Sequence, residues 1–323
     1  MFKNLIVYRL GAAGVPDLNA MLAGLDKARF LPCAPTQPLS LGWVEPRGDA
    51  HAPLVEIIGG QWLLELRFEQ KMLPASVVRR RTEERAAQIE KSTGRKPGKR
   101  ETRDLKDEAM LDLLPQAFTK QASVRVWIDP EAGLLMLDAG SSARADATTS
   151  ALVAAAPSLA ALQLQTATSP AVAMAEWLTS AEAPAGFSID RECELKSADE
   201  TKSAVRYARH ALDTDDVRAH VQAGKMPTRL ALTWRGRVSF VLTEQLQIRK
   251  ISYVDGVFDG VAERDSGFDA DAAIATGELR QLIPDLVEAL GGEPQSPGQA
   301  APPASPAVSA SPAPTTPTTP PWA

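Results

Sequence analysis

Cysteine occurs only twice in the 323 residues, as Cys33 and Cys193, far apart and in no Cys-x-x-Cys arrangement. This excludes a disulfide framework and a cysteine-based zinc site, and a reducing cytoplasm is the expected compartment. Histidine is limited to His51, His210 and His220. No HExxH, GxSxG, P-loop or Rossmann glycine pattern is present, so metalloprotease, serine hydrolase and nucleotide-binding readings lack their mechanical parts. No window approaches 18 apolar residues, which excludes a membrane-spanning helix. The opening stretch MFKNLIVYRLGAAGV has neither the apolar core of a signal peptide nor an A-x-A cleavage site, and its pattern suits a strand.

Positive charge is in deficit overall, with 35 Lys and Arg against 40 Asp and Glu and a formal net charge of −5. It is concentrated in one place. Between Arg79 and Lys106 stand eleven basic residues (Arg79, Arg80, Arg81, Arg85, Lys91, Arg95, Lys96, Lys99, Arg100, Arg103, Lys106) against five acidic ones, Glu83, Glu84, Glu90, Glu101 and Asp104. That is net +6, so the rest of the chain carries −11.

The local structure of this stretch can be argued. Pro74 and Ser76 suit a helix start, and the run to Glu90 has no Gly or Pro and is rich in helix formers. Its apolar stripe, Val77, Val78, Ala86 and Ile89, is thin, so much of the helix faces water. Ser92 to Gly98 breaks it with two glycines and a proline. A second helix is predicted from Thr102 to Pro115, with Leu105, Ala109 and Leu113 at intervals of four and Met110 and Leu114 on the adjoining row. The expected unit is a projecting helical hairpin with a cationic tip. Such a charge run is a solvated face, a surface that neutralises phosphates or a dock for an acidic protein partner, with DNA binding incidental.

Elsewhere, Lys3 to Leu10 reads as a strand and Pro16 to Ala28 as a short helix. Leu54 to Ile58 and Trp62 to Phe68 flank Gly59-Gly60, a hairpin signal. Val124 to Ile128 and Leu134 to Leu137 form a second hairpin, which makes the basic stretch an insertion between strands. Ala143 to Leu162 is predicted as one helix interrupted near Pro157, and Ala171 to Thr179 and Asp199 to Thr201 as further helix and loop material around Gly186 to Ile189. A helix follows from Asp213, closed by Gly224. Leu230 to Trp234 and Val238 to Leu242 alternate on either side of Arg235-Gly236, with a third strand around Ile248 to Tyr253. A final helix carries Leu279, Ile283, Leu286 and Leu290 on one face, and Pro284 is expected to kink it. Hairpin-linked strands with helices between them predict an α+β fold with antiparallel sheets. The expected division is a central α+β domain from 1–74 and 121–165, the inserted hairpin at 75–120, a second α+β domain at 166–292 and a tail at 293–323. The tail holds ten of the 25 prolines and is expected to be disordered.

Three other features invite a functional reading. Asp255, Asp259, Glu263, Asp265, Asp269 and Asp271 are either a solvated acidic loop or a Mg²⁺-binding set of a nuclease, though no EF-hand spacing is present. Phe118 lies beyond the helix stop at Pro115 and beside Lys120. It either stacks on bases at the rim of the hairpin or staples the hairpin to the sheet. Arg206, Arg209, His210, Lys225 and Arg229 make a second, sparser basic set.

The blocks FKNLIVYRL at 2–10, GWV at 42–44, LP at 73–74, LKDEAMLDLLPQAF at 105–118, WID and GLLMLD within 127–138, EWL at 176–178, CELK at 193–196, AGK at 223–225, LALTW at 230–234 and FDADAAIATGEL at 268–279 stand out. Together they resemble the RdgC family of bacterial recombination-associated proteins. They run in order from residue 2 to 292; the proline-rich tail is an addition. The resemblance implies a non-enzymatic protein of the cytoplasm and nucleoid, without cofactor or metal. It would bind double-stranded DNA, and single strands more weakly, without regard to sequence. It further implies a ring-shaped homodimer whose basic central hole encircles the duplex, and antagonism of RecA. The resemblance implies DNA-facing roles for Phe118 and Arg209; with the basic stretch and the second basic set, the expected DNA-contacting residues are Lys99, Arg100, Arg103, Lys106, Phe118, Lys120, Arg209, His210 and Lys225. Gln116 and His210 depart from the family pattern, standing where a relative has a basic residue and a glutamine.

Overall fold

The computed structural model of the protein describes residues 1–11, 14–199, 202–257 and 267–294. The proline-rich tail beyond Pro294 and Asp259, Glu263 and Asp265 of the acidic run lie outside the described residues. The first strand, β1 (Asn4–Leu10), shows how the fold is built. Leu5 and Val7 point into one apolar cluster, and Ile6, Tyr8 and Leu10 into another. Successive strand residues face opposite sides, so β1 is apolar from Leu5 to Tyr8 because both its faces are covered.

The elements follow in order. α1 (Leu18–Lys27) is capped by the Asp17 carboxylate, which accepts from the Ala20 N–H. β2 (Leu39–Val44), β3 (Glu56–Ile58) and β4 (Gln61–Met72) come next, with Gly59 and Gly60 at φ 57° and 80° closing the β3–β4 hairpin. Glycine supplies these positive φ angles at no steric cost. α2 (Ala75–Thr93) and α3 (Lys99–Leu113) stand between β4 and β5 (Phe118–Asp129). Then come β6 (Leu134–Leu137), α4 (Ser142–Ala155), β7 (Ala161–Gln163) and α5 (Pro170–Ser180). β8 (Phe187–Ser197), β9 (Ala204–Ala208), α6 (Asp215–Gln222), β10 (Lys225–Trp234), β11 (Val238–Thr243), β12 (Gln247–Tyr253) and α7 (Phe268–Ala289) complete the chain.

The strands form one open sheet in the order β2-β4-β5-β6-β1-β12-β11-β10-β8-β9, with β3 on β4 and β7 on β1, and its ladders are antiparallel. The fold is therefore α+β, as expected. One cluster joins β1, β5 and β6 to β8–β12 beneath α5, α6 and α7. The other joins β1 and β4–β6 to α1 and α4 on the opposite face.

Three sequence expectations need correction. The helix predicted from Ala143 to Leu162 ends at Ala155, and Ala161–Gln163 pairs with β1 instead. Pro157 disfavours helical geometry at the residue before it and lacks an N–H to continue the ladder. The stretch from Gly186 is largely strand, β8, partnered by β10 and β9. Its alternation, with Cys193 and Leu195 buried between Glu192, Glu194 and Lys196, was the available signal. α3 begins at Lys99, three residues before Thr102, because the Glu101 carboxylate accepts from the Gly98 N–H at 2.8 Å and caps the helix there.

α1 and α4 approach closely at Gly24. A methyl group there would lie 1.8 Å from the Ala155 carbonyl oxygen. Gly24→Ala gains about 1 kcal/mol of helix propensity but must push two packed helices apart, at a cost of up to about 3 kcal/mol. We expect a net loss of stability and a lower Tm in a thermal melt; a higher Tm would show that the contact yields freely.

Candidate nucleic-acid interface

α2 and α3 have little apolar surface to hide. Val78 and Thr82 of α2 and Leu105 and Ala109 of α3 are buried, and the remainder of the pair is largely exposed. Gly94 ends α2 in the left-handed conformation at φ 71°, which turns the chain toward α3. A short turn, Leu114–Gln116, follows α3, with Leu114 buried and its carbonyl accepting from the Lys71 ammonium at 2.9 Å.

The eleven basic residues of this stretch divide into two groups. Arg79 and Arg80 lie 3.8 Å from Glu83 and Glu84, one turn on. Arg81 meets Glu84, Arg85 bridges to Glu108 and Asp112 of α3, Arg95 pairs with Glu101, and Lys96 approaches Glu90. Among the described residues no carboxylate lies within ion-pairing distance of Lys91, Lys99, Arg100, Arg103 or Lys106, and all five are exposed. Four of these five are predicted site residues. The Glu101 carboxyl is held below its ordinary range by its bond from Arg95 and then by the Gly98 N–H.

Phe118 opens β5 opposite Met72, which closes β4. The Phe118 side chain is 87 % exposed, so it does not staple the helices to the sheet. Lys120, two residues on, shares its face of β5, is exposed and has no ion-pair partner among the described residues. The structure thus brings Phe118 and Lys120 together at the end of the β4–β5 ribbon from which α2 and α3 depart.

The second basic set lies elsewhere. Arg209 follows β9 in the left-handed region, φ 57°, and is exposed. His210 packs 5.4 Å from the Tyr207 ring, with its Nδ1 2.6 Å from the Ala211 carbonyl oxygen. Lys225 opens β10 opposite Ser197, and it is half-buried. Arg209 and His210 flank the Arg191 end of β8, to which His210 donates, whereas Lys225 stands at its other end. Seven strand spacings of about 4.8 Å separate β5 from β9 and five separate it from β10, so along the sheet the two basic sets lie roughly 24 to 34 Å apart.

The sequence reading missed Arg249. Its guanidinium bonds Gln247 Oε1 at 2.9 Å and the Gly140 carbonyl at 2.8 Å, with no carboxylate partner among the described residues. Burial, and next the nearby Arg229, push its pKa down. Both arginines lie on the face of the sheet opposite Leu230 and Ile248 of the core. Twenty residues apart, they share no motif that could have joined them. The described part of the acidic run likewise forms no metal-binding group: Asp269 pairs with Arg47, and no set of three potential ligands occurs among the described residues.

A family model described as "Putative exonuclease, RdgC" matches residues 1–293. The chain belongs to the RdgC family. A recombination-associated protein RdgC of Dechloromonas aromatica is 44% identical over 300 residues, covering 90% of this chain and 98% of the relative. The Cupriavidus pinatubonensis protein of the same name is 44% identical over 296 residues, and that of Bordetella pertussis 40% over 296, each with the same coverage. Family membership places the protein among recombination-associated proteins.

The exposure of Phe118 has a thermodynamic consequence. Phe118→Ala should change unfolding free energy by no more than about 0.5 kcal/mol, measured by urea denaturation. A buried staple would cost about 3 kcal/mol or more, and that result would place the ring in a core.

Proposed function

We propose that the protein binds double-stranded DNA without regard to sequence, encircles it as a ring-shaped homodimer, and thereby modulates RecA-dependent recombination in the cytoplasm, at the nucleoid. The observation that carries this reading is the set of exposed cations without carboxylate partners, Lys99, Arg100, Arg103, Lys106 and Lys120. Such cations are free to replace the counterions condensed on phosphates, and the released ions supply affinity independent of base sequence. Phe118 stands beside them as an exposed aromatic able to stack on a base or wedge at a step.

One chain presents its two basic sets on separate parts of the sheet. A closed two-fold dimer is the arrangement that would bring Arg209, His210 and Lys225 of one copy and the helical insertion of the other around one duplex. Single strands, with lower charge density, would bind more weakly. On this reading residues 75–120 act as a finger, and no chemical step is required.

The family's description as an exonuclease supports a second reading, metal-dependent cleavage using Asp255, Asp269 and Asp271. Incubation of linear and plasmid DNA with Mg²⁺ or Mn²⁺ separates the two. Cleavage abolished by Asp269→Ala would favour the nuclease.

The electrostatic reading is tested by fluorescence anisotropy on two unrelated duplexes over a range of salt. We expect log K to fall with log salt at about −0.9 per phosphate contacted. Replacing Arg100 and Arg103 by Gln should weaken both duplexes about equally and reduce the slope by about 2. Loss of affinity for one duplex alone would overturn sequence-independent binding.

A further inference from the structure

A groove of about 660 Å³ runs between α2 and α3. Leu73, Ala75, Val78 and Met110 give it an apolar lining beside Ser76, Thr82 and Thr102, and Arg79, Glu83 and Lys106 add charge. A duplex would leave the apolar part of this lining unsatisfied, because its phosphates and sugars present no apolar side chains. The two helices bury only a thin stripe, Val78 and Thr82 of α2 with Leu105 and Ala109 of α3. Met72, adjacent in the chain to Leu73, is exposed, as is its cross-strand partner Phe118, so apolar surface continues beyond the groove.

Charge selects the occupant. Lys99, Arg103 and Lys106 succeed one another at helical spacing along the α3 side, and none has an ion-pair partner among the described residues. On the α2 side Glu83 is already matched by Arg79 at 3.8 Å. A second copy of this surface would bring like charges together, at a cost in both desolvation and repulsion. We propose that the α2–α3 groove docks an acidic amphipathic helix of a partner protein. The partner's apolar face would lie on Leu73, Val78 and Met110, and its carboxylates against Lys99, Arg103 and Lys106. This is helix-in-groove recognition, with anchors at three- and four-residue spacing. The partner and DNA would compete for Arg103 and Lys106, so occupancy of the groove would reduce DNA affinity without touching the β8–β10 cations.

The test uses the full chain and two fluorescein-labelled peptides of identical composition. One places its leucines on a single helical face with aspartates and glutamates opposite; in the other the leucines are scattered. The first should bind at least about tenfold more tightly. Ala75→Trp fills the groove without changing charge. It should weaken the amphipathic peptide by about tenfold or more while leaving duplex affinity within about twofold. Lys106→Gln should weaken both peptide and duplex. Equal binding of the two peptides would reduce the site to bulk charge and overturn the proposal, and so would absence of binding by either. Dissociation of a dimer by Ala75→Trp in sedimentation velocity would assign the groove to a second copy instead. Because duplex binding is measured separately, failure of the peptide result leaves the DNA reading standing or falling by its own data.

Discussion

The fold hangs on one ladder, the antiparallel pairing of β4 with β5, which runs without a register break from Trp62 opposite Ile128 to Met72 opposite Phe118. At its inner end it is a sheet centre: Leu63 and Trp127 face one core, Leu64, Leu66, Val126 and Ile128 the other. At its outer end Phe118, Thr119 and Lys120 are exposed. The same backbone hydrogen bonds therefore seat the sheet between two helical layers and carry the α2–α3 insertion outward. A one-residue slip in this ladder would exchange the two faces, putting Trp127 and Val126 in each other's places. Both cores would be lost together.

Burial on two faces also explains how the distant ends of the chain are tied. Asp129, almost fully buried at the end of β5, accepts from the N–H groups of Glu131 and Ala132 through Oδ1 and pairs with Arg280 of α7 at 2.8 Å through Oδ2. Arg9 reaches from β1 to the Ala132 carbonyl and to Glu293. Such contacts orient α7 over the β5–β6 turn. The area buried by Leu279, Leu282, Ile283 and Leu286 supplies most of the adhesion, because apolar burial of a whole helix face outweighs a few ion pairs.

Electrostatics on α2 and α3 works by division rather than by total charge. Arg85 spends its charge joining the two helices, and the i to i+4 pairs of Arg79 and Arg80 contribute little to stability at a hydrated surface. What remains without partners is confined largely to α3 and the start of β5. Cations left without partners keep their interaction energy for an external anion, whereas paired ones must first give up a carboxylate.

Much of this was legible in the chain. Local alternation and turn chemistry placed β1, the Gly59-Gly60 hairpin, β10 to β12 and the two charged helices, since each depends on spacing of two or of three to four residues. The motif blocks identified the family. Strand β8 carried a short alternation of Cys193 and Leu195 with Glu192, Glu194 and Lys196, but only its pairing with β9 and β10 shows how far the strand extends. The end of α4 was decided by competition between helix propensity in an alanine-rich run and a place beside β1 for Ala161–Gln163. By itself the sequence determined which residues are cationic, which are apolar and most of the segments with clear local periodicity. Only the tertiary structure decided which cations lack partners, that Phe118 faces water, and that the two basic sets stand apart on one sheet. Those properties depend on distances between residues remote in sequence, which local spacing does not encode.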